Sequence, residues 1–199
     1  MDERAFIAKF KRSGQKRPHP GAYPAPTYET TWARFGRVLG AVGGTFVGPV
    51  GVAELPAAIT DAIARVPGRC VASASAELLL SGADGWSRAV DAAANPHGLD
   101  NVELGIITAE AAVAENAALL LTATSLPERA LAFLSQHVLV LVRTDVLVPD
   151  FITAQAILRT PLPHHVTWMS GPSKTADIEQ TLVVGAHGAR SLVVIAYEA

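Results

Sequence analysis

The sequence predicts an α/β fold of three layers, α/β/α, with helices on both faces of a largely parallel sheet. From Thr30 onward, segments with apolar residues at helical spacing alternate with short apolar runs bounded by glycine, proline and polar residues. Three of these runs, "LLLTAT", "HVLVLV" and "SLVVIA", are apolar at consecutive positions. Strands covered on both faces have this composition, which is typical of parallel sheets flanked by helices. We therefore expect a single α/β domain over residues 29–199, preceded by a separate segment over residues 1–28.

The first elements of the domain follow from helical spacing and from glycine-bounded apolar runs. In "TTWARFGRVLGAV", four apolar residues recur at the spacing of one helix face: Trp32, Phe35, Val38 and Leu39. The next patterns predict, in order, a strand in "GGTFVGPV", a helix in "ELPAAITDAIARV", a strand in "RCVASAS", a helix in "DGWSRAVDAAAN" that stops at "NPHG", and a strand in "VELGIITA".

The second half continues the alternation. The patterns predict helical turns in "EAAVAENAA", a strand in "LLLTAT", a helix in "PERALAFLSQ", a strand in "HVLVLVRT", a helix in "PDFITAQAILRT", a strand in "HHVTWMS", a helix in "TADIEQTLVVG" and a strand in "SLVVIAYE". Pro127 near the start of "PERALAFLSQ" suits the first turn of a helix, because its missing N–H has no partner to lose there.

Residues 1–28 combine a basic arm with a proline-rich linker. "RAFIAKFKR" places Phe6, Ile7 and Phe10 near one face of a short helix, with lysine and arginine on the other. "RPHPGAYPAP" has four prolines in ten residues, which excludes a helix or a ladder-forming strand. We expect the arm to dock on the body or on a partner protein; a membrane-surface helix is the alternative.

Charge and hydropathy exclude two classes of partner. The net charge is −2, but residues 1–17 carry six basic and two acidic residues, and the remainder carries ten basic and sixteen acidic ones. A nucleic-acid-binding surface would need basic residues clustered on the body, so we expect no nucleic-acid partner. The longest apolar runs have strand length and fall short of the ~20 residues of a membrane span. With no signal-peptide pattern at the N-terminus, the sequence predicts a cytoplasmic protein.

Neither the cysteine content nor the glycine-rich segments point to a cofactor. Cys70 is the only cysteine, so it cannot form an internal disulfide or hold by itself an iron–sulfur cluster, which normally takes four ligands. "GPVGVAE" lacks the spacing of a dinucleotide-binding loop and the Gly-Lys-Ser/Thr ending of a P-loop. His164 and His165 are adjacent, so in a strand they point to opposite faces and do not share a metal. We predict no cofactor and no metal.

The segment "SGPSKTADIEQ", residues 170–180, is an unusually polar junction between a predicted strand and a predicted helix. Ligands of open α/β sheets gather where strands end and helices begin. Gly171 permits a left-handed turn, and Ser173 or Thr175 can cap a helix whose free N–H groups suit a phosphate or a carboxylate. Lys174 would add positive charge. Ordinary helix-start chemistry, with Asp177 in the first turn, is the alternative interpretation.

The same stretch resembles the closing signature of the lactate-utilisation protein C family, also called the LutC/YkgG or LUD-domain family. Members carry Ser-Gly-Pro-Ser-Arg/Lys-Thr-Ala-Asp-Ile-Glu and then His-Gly-Pro before the last strand. Here the first part runs from Ser170 to Glu179, and the second reads His187-Gly188-Ala189, without the proline. The order of elements, including "AVGGTF" at 41–46, is also similar to the family.

The resemblance implies a fold like that of ribose-5-phosphate isomerase, glucosamine-6-phosphate deaminase and the CoA transferases. It also implies a role in the use of L-lactate, together with partner proteins that carry iron–sulfur clusters. On this basis we expect a small carboxylate or phosphorylated ligand to be bound by eight residues: Ser170, Gly171, Ser173, Lys174, Thr175, Asp177, His187 and Gly188. An ordinary helix C-terminus is the alternative interpretation of the last two.

Glu115 is the candidate catalytic residue. The family usually shows Ala-Glu-Thr-Gly-Thr before its central strand, whereas this chain keeps Glu115 and has Asn116, Ala117 and Ala118 in place of Thr-Gly-Thr. The resemblance implies a position near the strand tips, where a carboxylate can act as a general acid or base. A solvated helix residue is the alternative.

Three functions remain open at this point. The leading one is a non-redox component of L-lactate oxidation that binds a small anionic ligand and works with iron–sulfur partners. The second is an assembly or regulatory subunit whose cleft is vestigial. The third, by analogy of fold alone, is an independent isomerase or CoA transferase, so whether the chain is an enzyme is left open.

Overall fold

The computed structural model describes residues 27–89, 95, 97–158, 162–175 and 182–198. Nearly all of the predicted arm and linker, residues 1–26, therefore lies outside the described residues. Among the helices of the described residues, none combines the length and the hydropathy that crossing a bilayer requires.

Four α-helices and twelve strands follow one another along the described chain. The helices are α1 (Trp32–Ala41), α2 (Leu55–Ala64), α3 (Leu131–Leu134) and α4 (Phe151–Gln155). The strands are β1 (Thr45–Val50), β2 (Cys70–Ala72), β3 (Ser87–Arg88), β4 (Leu104–Ala109), β5 (Ala111–Val113), β6 (Leu119–Thr122), β7 (His137–Arg143), β8 (Leu147–Val148), β9 (Val166–Met169), β10 (Lys174–Thr175), β11 (Val183–Val184) and β12 (Ser191–Tyr197).

A six-stranded sheet forms the centre of the molecule, in the order β1-β12-β7-β4-β2-β3. Every neighbouring pair in it is parallel. The prediction of an α/β fold with a largely parallel central sheet is therefore confirmed. The specific likeness to the isomerase, deaminase and CoA transferase folds stays a prediction.

Alternate residues of β7 enter two different hydrophobic clusters, which shows how both faces of the sheet are covered. Val138, Val140 and Val142 pack in a cluster with α1, α3 and residues of β5 and β6. Leu139 and Leu141 pack on the opposite face, with α2 and the 3-10 helix at 77–80. Each fully buried leucine or valine contributes roughly 1.5–3 kcal/mol, which explains the uninterrupted apolar run of this strand.

A second sheet, of order β8-β5-β6-β9, lies against the first of these clusters and changes two of the predictions. "LLLTAT" is buried as expected, but β6 pairs antiparallel with both β5 and β9 and is not part of the parallel sheet. The helical turns predicted in "EAAVAENAA" are wrong, because Ala111–Val113 form β5 and the hairpin turn to β6 includes Ala117 at φ +55°. Pairing and burial outweigh the helix propensity of alanine here.

Other predicted helices are absent or shorter. Within "DGWSRAVDAAAN", Ser87–Arg88 form the edge strand β3 beside β2, while residues 90–94 lie outside the described residues. The helices predicted in "PERALAFLSQ" and "PDFITAQAILRT" shorten to α3 and α4. In "TADIEQTLVVG", Thr175 belongs to β10, which pairs antiparallel with β11 and excludes a helix beginning at this residue. Residues 176–181, including Asp177, lie outside the described residues.

Candidate functional site

The segment from Ser170 to Thr175 packs against the end of α1. Gly171 has φ +77°, and a Cβ atom there would lie 2.9 Å from the carbonyl oxygen of Val42. The same carbonyl accepts a hydrogen bond from the Lys174 ammonium group. Glycine at position 171 is therefore required twice, by the left-handed backbone and by the close approach to α1.

Backbone and side-chain hydrogen bonds fix the rest of this segment. The Ser170 hydroxyl donates to the carbonyl oxygen of Asn116 at 2.6 Å. The backbone N–H of Ser173 donates to Ala189, and its carbonyl oxygen accepts from Gly185, both at 2.9 Å. The segment thus joins α1, the β5–β6 hairpin and the loop that precedes β12. We expected an anion site at the N-terminus of a helix that begins near Thr175. Thr175 lies in a strand, so no helix begins at this residue.

Five of the eight predicted ligand-binding residues nevertheless line one cavity of about 270 Å³. We call it the signature cavity, and its five predicted residues are Ser170, Gly171, Ser173, His187 and Gly188. The remaining wall is mainly apolar and comes from α3, β9 and β12, including Phe133, Met169 and Leu192. Within the described part of the chain, Lys174, Thr175 and Glu115 are not in its lining.

Glu115 lies in the β5–β6 hairpin turn and holds the start of α4. Its Oε2 atom accepts a hydrogen bond from the backbone N–H of Phe151 at 2.9 Å. A hydrogen bond with Glu115, followed by burial, raises the pKa of the Tyr28 hydroxyl above its ordinary value. The carboxylate thus connects the beginning of the described chain to α4, and its proposed role in proton transfer stays a prediction.

A larger cavity, of about 670 Å³, lies at the carboxyl ends of the parallel strands. We call it the strand-end cavity. Thr108 and Ala109 end β4, Arg143 ends β7 and Tyr197 ends β12, and all four residues line it. Its other polar residues are Ser75, Glu110, Thr122 and Thr124, and its apolar wall includes Leu78, Leu79, Leu120, Val146, Ile157 and Leu158.

Hydrogen bonds order the polar floor of the strand-end cavity. The Thr108 hydroxyl donates to the Ser75 hydroxyl at 3.0 Å, and Ser75 donates in turn to the carbonyl oxygen of Ser125 at 2.5 Å. The Thr122 hydroxyl donates to Oε1 of Glu110. These contacts fix the orientation of three hydroxyl groups and one carboxylate at the sheet edge.

A charged pair stands at the rim of the same cavity. The Arg143 guanidinium donates from Nε and Nη2 to the two carboxylate oxygens of Asp145, at 2.9 Å and 2.5 Å. This hydrogen bonding lowers the pKa of Asp145, against the opposing effect of desolvation. The pKa of the Tyr197 phenol is raised above its ordinary value, mainly by burial; the charge of Arg143 lowers the pKa and that of Asp145 raises it. The phenol is therefore a neutral hydrogen-bond donor at pH 7.

Our sequence interpretation placed the ligand after β9 and did not select the residues of the strand-end cavity. A signal for them is present in the sequence. Thr108, Arg143 and Tyr197 each occur where a long apolar strand pattern ends, and the carboxyl ends of parallel strands share one edge of the sheet.

Comparisons with known proteins agree on the family. The model of the LUD domain matches residues 50–197. A protein named lactate utilization protein C, from an Exiguobacterium species, is 39% identical over 92 residues, which are 43% of this chain and 40% of that protein. An uncharacterised protein of Neisseria meningitidis is 32% identical over 99 residues, which are 48% of this chain and 42% of that protein. The matched segments thus span only about two fifths of these relatives.

A solved structure has the same fold. The crystal structure of a DUF162 family protein from Deinococcus radiodurans, at 1.70 Å resolution, superposes with a TM-score of 0.61 and 22% sequence identity. The match covers 83% of this chain and 94% of that one. At this identity the likeness extends to the fold alone.

Proposed function

This chain belongs to the LUD-domain family, and we propose that it serves L-lactate utilisation as a non-redox component that binds a small carboxylate. Relatives named lactate utilization protein C support the pathway. Oxidation of lactate moves electrons, and a single buried cysteine cannot ligate an iron–sulfur cluster. Under this proposal the electrons pass to iron–sulfur partner proteins.

The observation that carries the proposal is the convergence of the family signature on one cavity. Ser170, Gly171 and Ser173 come from one part of the signature and His187 and Gly188 from the other, and all five line the signature cavity. A Cβ atom at Gly188 would lie 3.2 Å from the Cβ atom of Ser173, so the two parts are in close contact.

The chemistry of the signature cavity suits a small carboxylate. A hydroxyl and an imidazole, from Ser173 and His187, can both donate to carboxylate oxygens. Phe133 and Leu192 offer apolar contact to a methyl group. The volume of about 270 Å³ lies just below the range of roughly 300–1,000 Å³ that drug-sized ligands occupy, which fits a molecule of the size of lactate or pyruvate.

A second candidate function is an assembly or regulatory subunit. Phe133 of α3, which lines the signature cavity, is 44% exposed, and its neighbour Leu134 is 53% exposed. Exposed apolar side chains of this kind suit contact with another protein. The same experiment separates the two candidates.

The test is thermal unfolding of the full chain with L-lactate, pyruvate, inorganic phosphate or sugar phosphates. A ligand at a hundred times its Kd stabilises by roughly 2.7 kcal/mol, or about 5–10 °C for a chain of this size. We expect L-lactate or pyruvate to raise the melting temperature. If none of these ligands changes the melting temperature of the folded protein, ligand binding is contradicted and the assembly subunit is favoured. If inorganic phosphate or a sugar phosphate alone raises the melting temperature, the proposal of a carboxylate ligand is contradicted.

Variants locate the effect. Ser173→Ala combined with His187→Ala removes two donors of the signature cavity and should abolish the shift. Ser81→Ala combined with His97→Ala makes the same chemical changes at exposed positions outside both cavities and should leave it intact. An undiminished shift in the first variant would place the ligand elsewhere and contradict the proposed site.

A further inference from the structure

The strand-end cavity lies at a point where the chain connections of the parallel sheet diverge. β2 and β4 are neighbours in the sheet, but the chain leaves them in opposite directions. The next strand of this sheet after β2 is β3, on one side of the pair, and the next after β4 is β7, on the other side. The segments that leave the two strands therefore separate and open a crevice between them. Such switch points are where open α/β sheets bind ligands. Ser75, after β2, and Thr108, at the end of β4, meet across this crevice.

The charges of the cavity select the kind of ligand. Arg143 is its cationic side chain and Glu110 its anionic one among the described lining residues. A ligand with one negative group and one hydrogen-bond donor satisfies both. A dianion would be repelled by Glu110 and by Asp145 beside Arg143.

Arg143 can bind a carboxylate without losing its orientation. Asp145 accepts hydrogen bonds from Nε and from one Nη nitrogen of Arg143. The second Nη nitrogen of a guanidinium carries two further N–H donors, which remain for a ligand. The two side chains are 51% and 57% exposed, so the pair contributes little to stability and a ligand can share or replace the contact.

The walls and the volume determine the size of the ligand. Leu78, Leu79, Ile157 and Leu158 supply much of the apolar lining of the cavity. A volume of about 670 Å³ is in the middle of the range for drug-sized ligands, and far more than lactate fills.

We propose that the strand-end cavity binds a hydroxyl-bearing monocarboxylate with an apolar tail, larger than lactate. The carboxylate pairs with Arg143, the hydroxyl donates to Glu110, and the tail packs on the leucine and isoleucine wall. This site is distinct from the signature cavity and does not depend on the function proposed above.

The test is calorimetric titration of the full chain with L-2-hydroxy-4-methylpentanoate. Two matched probes accompany it: 4-methylpentanoate, which lacks the hydroxyl, and the amide of the hydroxy acid, which lacks the charge. Because hydrogen bonds to charged groups contribute about 1.5–3 kcal/mol, we expect each omission to weaken binding by about tenfold or more. Equal affinity for all three probes, or no binding at millimolar concentration, would overturn the proposal.

Substitutions assign each contact. Arg143→Gln should weaken binding of the hydroxy acid about tenfold and leave binding of the amide nearly unchanged. Glu110→Gln keeps an acceptor for Thr122, and it should reduce the preference for the hydroxylated probe to about threefold or less. Arg37→Gln and Glu29→Gln, in an exposed ion pair elsewhere, are the matched controls and should change nothing.

The signature-cavity variant keeps the two proposals apart. Ser173→Ala with His187→Ala should leave binding of the hydroxy acid intact. Loss of binding in that variant, with full binding in Arg143→Gln, would assign the probe to the signature cavity and overturn this inference without touching the function proposed above. Circular dichroism of each variant verifies its fold.

Discussion

Cys70 shows at the scale of one residue how burial controls reactivity. It begins β2 and packs in the cluster between the central sheet and α2. Burial raises the pKa of its thiol to about 11, from an ordinary value of 9.0. The thiolate is the reactive form, so at neutral pH this cysteine is a small apolar core residue and not a nucleophile.

The raised pKa predicts a loss of stability at high pH. Between pH 9 and about pH 11 the thiol ionises in the unfolded chain but stays protonated in the folded one, so the unfolded state binds fewer protons. The free energy of unfolding should therefore fall as pH rises through this window. The advantage of the wild type over Cys70→Ala, measured by urea unfolding at pH 7.5 and pH 10, should shrink at the higher pH. Comparison with this variant cancels the titration of tyrosine and lysine, and an advantage independent of pH would contradict the prediction.

At the scale of elements, α1 carries one wall of the signature segment and depends on its first turn. Thr31 is its N-cap, and the hydroxyl oxygen accepts a hydrogen bond from the backbone N–H of Arg34 at 3.1 Å. The C-terminal end of the helix presents the Val42 carbonyl to Lys174. The beginning of the helix thus supports a contact about three turns further on.

Removing this cap should lower stability measurably. Thr31→Ala leaves an N–H of the first turn without its partner and should cost about 1 kcal/mol, or roughly 2–4 °C in melting temperature. Thr30→Ala makes the same change at the exposed neighbouring position and should stay within about 0.5 kcal/mol of wild type. Equal effects of the two variants in urea unfolding would show that the hydroxyl does not act as a cap.

Elements defined by long apolar runs are predictable from this sequence, and those defined by distant partners are not. β7 and β12 are mostly buried, and their consecutive apolar residues predict this burial. The Ala-rich segment at 110–118 has good local helix propensity, and pairing with β6 and β8 on either side makes Ala111–Val113 a strand. Propensity is a local quantity, whereas sheet pairing depends on partner segments outside the strand itself.

The candidate sites divide in the same way. The signature residues are recognisable because they form two short contiguous motifs, and five of them share a cavity. Their contacts were not predictable, since Lys174 donates to a carbonyl 132 residues earlier. The strand-end cavity was missed because β4, β7 and β12 each bring one or two residues to it, and only the strand order makes them neighbours.

At the scale of the whole molecule, the two sheets share one hydrophobic cluster. Leu119 and Leu121 of the second sheet pack in the same cluster as Val138 and Val140 of the central sheet. Neither sheet can lose its partner without exposing this surface to water. We therefore propose that residues 29–199 unfold as one cooperative unit.

Truncation of one residue in the second sheet tests this cooperativity. Leu121 is fully buried, so Leu121→Ala should cost about 2–5 kcal/mol, whereas Leu162→Ala, at a position 65% exposed, should cost little. Trp32 borders the shared cluster and Trp168 lies on β9, so tryptophan fluorescence reports on both sheets. Urea unfolding of Leu121→Ala should give one transition, at the same midpoint by fluorescence and by far-UV circular dichroism. Adding Trp32→Phe and Trp86→Phe to Leu121→Ala leaves Trp168 as the one tryptophan of the chain, so that fluorescence reports on the second sheet alone. If the second sheet folded separately, it would unfold first in this variant. A fluorescence transition at lower urea than the circular dichroism transition would therefore refute the single unit.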